Sequence, residues 1–162
     1  KRNPHAADTL AGAEYELDLS WQYQTDAEPV LSYGRVDILA GSILADLKTT
    51  ARGVDLKSAR KMARDWAIQM AYYRQGLRVC RDIEITEARI LLVSTEAPYI
   101  CEVYTLDPAD LDRGDLEISK ALHRFRRHRD GSGDWLGYSA DLFDPSHPRI
   151  RTLSAPPWSW NE

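Results

Sequence analysis

From Ala13 to Tyr23 apolar and polar side chains alternate without a break. Tyr15, Leu17, Leu19, Trp21 and Tyr23 fall on one side, and Glu14, Glu16, Asp18, Ser20 and Gln22 on the other. A period of two predicts a half-buried strand. After the polar segment 24–29, a second strand is expected over Leu31–Leu39 and a third over Ile43–Thr49, divided by Ala40-Gly41-Ser42. The period then changes. Leu56, Ala59, Met62, Ala63, Trp66, Ala67, Met70 and Tyr73 recur every three to four residues, which predicts one helix capped by Asp55 at its start and Gly76 at its end. Ala88–Thr95, containing ILLV, reads as a strand buried on both faces, and Tyr99–Leu106 as another. Asp107-Pro108 opens an amphipathic helix to about Arg129, weakened at Gly114. DGSGD (130–134) reads as a loop, and the Pro-, Trp- and Tyr-rich tail from Trp135 as irregular cover. The N-terminal KRNPHAADTLAG does not read as helix. Three strands, a helix, two strands and a helix predict an α/β fold with a mixed central sheet flanked by helices.

Length and composition narrow the possibilities. At 162 residues the chain reads as a single domain, and its lack of an initiator Met fits a fragment of something longer. The net charge of −4 means that any nucleic-acid contact must come from a local basic patch. Two such patches stand out. One is Lys57, Arg60, Lys61 and Arg64 on the first helix, and the other runs from Arg124 to Arg129. Cys80 and Cys101 are too few for a disulfide scaffold, which fits a reducing cytoplasm, and no stretch is apolar enough to cross a membrane.

The charges inside the second and third strands call for an explanation. Gly41-Ser42 fits a two-residue hairpin turn with positive φ at Gly41. Counting outward from it, Leu39 faces Leu44, Ile38 faces Ala45, and Asp37 faces Asp46, with Lys48 on the same face as Asp46 and Leu47 turned into the core. Opposed carboxylates repel, and a hard divalent cation resolves the conflict. Mg²⁺, or Mn²⁺ in its place, would be held by Asp37, Asp46 and the backbone carbonyl of Leu47. Lys48 would then orient a water and offset charge on a phosphodiester. A D-x-K triplet alone usually marks a solvated strand face, but here it is embedded in ILAGSILA.

Taken together, these residues resemble a known family. Gly34-Arg-Val-Asp37, followed nine residues on by Asp46-Leu-Lys48-Thr-Thr, resembles the core signature of the PD-(D/E)xK nuclease superfamily. Gln69-Met-Ala-Tyr-Tyr73 resembles the Q-x-x-x-Y motif of its RecB-type branch. DLKTT before a helix, the strand ILLVSTE and the tail RIRTLSAPPW are similar to the RecE-type (exodeoxyribonuclease VIII) group. The resemblance implies a restriction-endonuclease-like core and a metal-dependent exonuclease that digests duplex DNA from its ends for recombination. It also implies a single-strand annealing protein as partner and a homo-oligomeric state. By position, Asp37 and Asp46 would be metal ligands, Lys48 the catalytic lysine, and Gln69 and Tyr73 a supporting pair one helical turn apart. The histidine ligand usual upstream in that branch has no counterpart, since only His5 precedes Asp37; Glu14 or Glu16 is the alternative, as is a helix outside the chain. A non-catalytic DNA-binding or assembly module on the same scaffold is the competing class. Retention of Asp37, Asp46 and Lys48 favours the enzyme.

Overall fold

A computed structural model describes residues 3–24, 28–51 and 53–129. Five strands form one sheet in the order of the chain: β1 (Glu14–Tyr23), β2 (Val30–Ala40), β3 (Ile43–Thr50), β4 (Glu87–Ser94) and β5 (Cys101–Thr105). β3 and β4 run parallel and the other neighbours antiparallel, so the sheet is mixed, as the patterning predicts. The parallel step needs a crossover. It is made by two helices rather than one, α2 (Leu56–Arg60), capped by Asp55, and α3 (Ala63–Arg81). α4 (Pro108–Arg129) follows β5. The chain divides into two compact units, Lys1–Arg124 and Phe125–Glu162, and the whole sheet belongs to the first. The expected loop at 130–134 and the tail lie outside the described residues.

Two expectations about the crossover are corrected. The C-terminal cap of α3 is Asp82, in the left-handed region at φ 55, and Gly76 lies inside the helix. A Cβ at Gly76 would meet Trp21 at 3.0 Å and Leu19 at 3.1 Å, so this glycine lets α3 lie close against β1. Gly114 does the same for α4, where a Cβ would sit 2.8 Å from the Ala67 carbonyl of α3. Leu56, placed in the buried stripe, is exposed. Between α3 and the sheet lies the main core, with Val36, Leu44, Met70, Leu77, Ile90 and Leu92 sealed from solvent.

The N-terminal segment is helical after all. Asn3 caps α1 (Pro4–Leu10) by accepting from the His5 and Ala6 N–H groups, and Pro4 fills the first helical position. α1 covers the opposite face of the sheet, where Ala6 packs with Ile38, Ala45 and Leu91. Arg89 donates to the buried Thr9 hydroxyl at 2.9 Å and fastens it there. Seven residues of helix cover only part of that face, and so Leu47, expected in the core, is 50% exposed.

Candidate active site

The hairpin register is the one counted from the turn. Gly41 has φ 59, and Ala40 pairs Ile43, Leu39 pairs Leu44 and Ile38 pairs Ala45. The ladder stops there, one step short of Asp37 and Asp46. Asp37 uses its carboxylate instead of its backbone: Oδ2 accepts the Leu47 N–H at 3.2 Å. Across β1 the register continues, but pairing lapses where Glu16 lies opposite Asp37, and Glu16 takes a left-handed backbone at φ 53. The neighbours of Asp37 also change sides, with Val36 and Leu39 in the main core and Ile38 under α1. The strands therefore part around the acidic pair. A strand residue's N–H and C=O point to the same side, so the Leu47 carbonyl opens toward that gap as well.

Asp46 is the centre of a closed polar network. It is 1% exposed, the one buried charged side chain among the described residues. Lys48 Nζ stands 2.7 Å from its Oδ2, and Gln69 Nε2 donates to its Oδ1 at 2.9 Å. Lys48 Nζ also donates to Gln69 Oε1 at 2.8 Å, and Gln69 Nε2 lies 3.4 Å from the Tyr73 hydroxyl. Gln69 thus binds both the acid and the base with its two amide ends. Burial lifts the Asp46 carboxyl above the usual carboxylate range. The Lys48 ammonium beside it pulls the value back, the nearby Asp37 charge adds to the rise, and the Gln69 amide lowers it slightly.

Two glycines explain why α3 delivers these side chains. Gly76 admits Trp21, whose indole N–H also donates to Gln75 Oε1 at 3.2 Å. Gly34 on β2 admits the ring of Tyr73: a Cβ there would lie 2.8 Å from Cε1 and 3.1 Å from Cδ1. With Gly76 and Tyr73 seated on β1 and β2, Gln69 falls one turn earlier, over Asp46 and Lys48 on β3. The sequence placed Gln69 and Tyr73 in the site. It assigned no role to Gly34, although the residue stands three positions before Asp37.

The donor set suits a divalent cation that keeps other oxygens of its own. Asp46 Oδ2 is buried with the Lys48 ammonium as its one close partner, Asp37 contributes a second carboxylate, and the Leu47 carbonyl opens nearby. No third acidic or histidine ligand joins them: among the described residues no cluster of three or more His, Cys, Asp or Glu is placed to hold a metal. Glu14 is committed to Arg81 at 3.0 Å, and Glu16 lies 3.8 Å from Arg35. His5 faces Val103 and Thr105 on the other side of the sheet. Lys57, Arg60 and Lys61 are exposed on and just after α2 without ion-pair partners among the described residues, whereas Arg64 is bound to Glu117 at 3.2 Å. None of the four contacts the acidic pair.

The family described as "PDDEXK-like domain of unknown function (DUF3799)" matches residues 22–134. No curated protein matches the chain. Among solved structures, a "putative exonuclease" from Eubacterium rectale superposes with a TM-score of 0.66 over 82% of this chain and 51% of that one, at 15% identity. SSO0001 superposes at a TM-score of 0.43 and 16% identity, over 74% of this chain and 55% of that one. The chain therefore spans about half the length of these two structures. At such identity the likeness to the first is one of fold, and it agrees with the mixed sheet described above. No described helix is long and apolar enough to cross a membrane.

Proposed function

The chain belongs to the PDDEXK-like family, and from that membership and the geometry of the site we propose that it is a metal-dependent deoxyribonuclease acting as an exonuclease on the ends of linear duplex DNA. The observation that carries this reading is the buried Asp46 joined to Lys48 by an ion pair and to both Lys48 and Tyr73 through Gln69. Burying a carboxylate against a half-buried ammonium is costly, and a fold has little reason to maintain the pair for stability alone.

Mg²⁺, or Mn²⁺, held by Asp37, Asp46 and the Leu47 carbonyl would supply Lewis acidity to the scissile phosphate. Lys48, gripped by the Gln69 amide oxygen, keeps its ammonium beside Asp46 and offers a fixed donor to the attacking water and to charge growing on the phosphate. Gln69 orients both groups, and the Tyr73 ring seated on Gly34 limits the motion of Gln69. Lys57, Arg60 and Lys61 would contact DNA phosphates, with Arg64 contributing once released from Glu117. A recombination role, with an annealing protein as partner and a homo-oligomeric enzyme, follows from the RecE-type likeness of the sequence.

The test is digestion of linear and of covalently closed circular duplex DNA, each with Mg²⁺ and with chelator. The proposal expects mononucleotide or short-fragment release from the linear substrate only, and only with metal. Binding without any cleavage would favour the non-catalytic module instead.

A further inference from the structure

The loop between β4 and β5 carries two large exposed side chains in succession, Tyr99 at 67% and Ile100 at 45%. Unlike a slack loop, it is braced. Thr95 donates both its N–H and its hydroxyl to the Thr50 carbonyl, at 2.9 and 3.3 Å. The Ser94 N–H reaches the Ile100 carbonyl at 2.8 Å, and the Tyr99 N–H closes a turn on the Glu96 carbonyl at 2.8 Å. Tyr99 itself sits in the left-handed region at φ 55, a conformation that a non-glycine residue keeps only where its surroundings hold it. The fold thus holds the backbone from which an aromatic ring and an aliphatic side chain stand out into solvent.

Their position is informative. Thr50 lies two residues past Lys48 on the same strand and pairs with Ser94. Ile100 lies opposite Ser94 on the far side of β4, so at ordinary strand spacings its backbone is about 12 Å from that of Lys48, with Tyr99 one residue further. That span matches about three or four stacked nucleotides. The loop's charge selects what it could take. No Lys or Arg occurs between Ser94 and Glu102, and the exposed Glu96 and Glu102 flank the apolar pair. A phosphate is repelled there, whereas a flat uncharged ring with amino donors on its edge is not.

We propose that Tyr99 and Ile100 form a stacking platform for a nucleobase of the DNA strand, about three or four nucleotides from the phosphate held at Asp37, Asp46 and Lys48. The inference rests on the nuclease reading above. The platform would fix the strand's end by its bases while the basic helix positions the backbone.

The experiment measures binding of the whole chain in Ca²⁺ to short linear duplexes with one abasic residue at each of the first four positions of either strand. Removing the stacked base should weaken the parent about 5- to 150-fold at one position. The same deletion should leave Tyr99→Ala unaffected, while Tyr99→Phe keeps the parent's profile. Ile100→Ala serves as the second variant and should show a reduced dependence at the same position. An abasic profile identical in the parent, Tyr99→Ala and Ile100→Ala overturns the platform alone. A parent that binds no duplex at all overturns the nuclease reading together with it.

Discussion

Gly34→Ala is the substitution through which the packing behind the site can be tested most sharply. The added Cβ would lie 2.8 Å from Tyr73 Cε1 and 3.1 Å from Cδ1, with Trp21 Cη2 at 3.5 Å behind. Carbon atoms prefer a separation of about 3.5–4.0 Å, so the ring must retreat by roughly 0.7 Å or more. α3 cannot carry it away as a body. Gly76 is already against Trp21, and Gly114 of α4 presses on Ala67 and Ala71 from the other side. The ring therefore swings, and its hydroxyl leaves Gln69. Overpacking of this kind costs about 1–3 kcal/mol, and at this chain length each kcal/mol lowers Tm by about 2–4 °C. Because Gln69 links Asp46 to Lys48, single-turnover cleavage should fall with stability, by at least about tenfold. Tyr73→Phe separates the two effects, since it keeps the ring and removes only the hydroxyl contact. Gly34→Ala combined with Tyr73→Val should recover part of the lost Tm, giving a non-additive coupling above about 0.5 kcal/mol. A Gly34→Ala protein with parental Tm and cleavage, or strict additivity in the double variant, would show that Gly34 does not seat the Tyr73 ring behind the site.

Other expectations concern charge and helix packing. Asp46 titrates above the ordinary carboxylate range because it is buried, so its ionised form weakens the metal-free fold. The penalty is absent below the unfolded carboxylate pKa, grows as pH rises toward the raised folded value, and is constant above it. In chelator, the Tm of Asp46→Asn minus that of the parent should widen across that window and then level off, and a difference flat in pH would contradict it. The same variant should lose most of the Mg²⁺-induced rise in Tm seen in the parent, as measured by thermal melting at excess metal. Replacing Lys57, Arg60 and Lys61 by Ser should weaken DNA binding irrespective of sequence. Titrations at several salt concentrations should show the salt slope falling by about 0.9 for each phosphate that is no longer neutralised. Gly114→Leu should lower Tm by driving α4 off Ala67 and Ala71 while leaving the Tyr99 abasic profile unchanged in duplex titrations.

The strands were legible because their signals are local. Alternation in β1, the Gly41-Ser42 turn and the ILLV run of β4 place the sheet within a residue or two. The turn also carried the register as far as Ile38 and Ala45. It could not show that the ladder ends there, since that depends on the Asp37 carboxylate capturing the Leu47 N–H across the hairpin. Leu47 was assigned inward by alternation alone, but how much of a sheet face is covered is a tertiary property, and α1 is too short to reach it. Gly76 looked like a cap because glycine often ends helices; here its lack of a side chain serves close packing against Trp21. α1 did have a signal in Asn3-Pro4, a cap followed by proline at the first helical position, but its seven residues hold too little periodicity to stand out. Within the candidate site, Gln69 and Tyr73 were visible through their spacing. The contact of Tyr73 with Gly34 joins positions far apart in the chain, and only the folded structure brings them together.

Lys48, held between Asp46 and Gln69, is expected to act on the reacting phosphate rather than to balance a buried charge. Single-turnover cleavage of an end-labelled linear duplex by Lys48→Met at saturating Mg²⁺, beside a binding titration in Ca²⁺, tests it most directly. Binding should stay within a few-fold of the parent, and cleavage should slow by about 10²–10³. A Lys48→Met protein that cuts within a few-fold of the parent would contradict it.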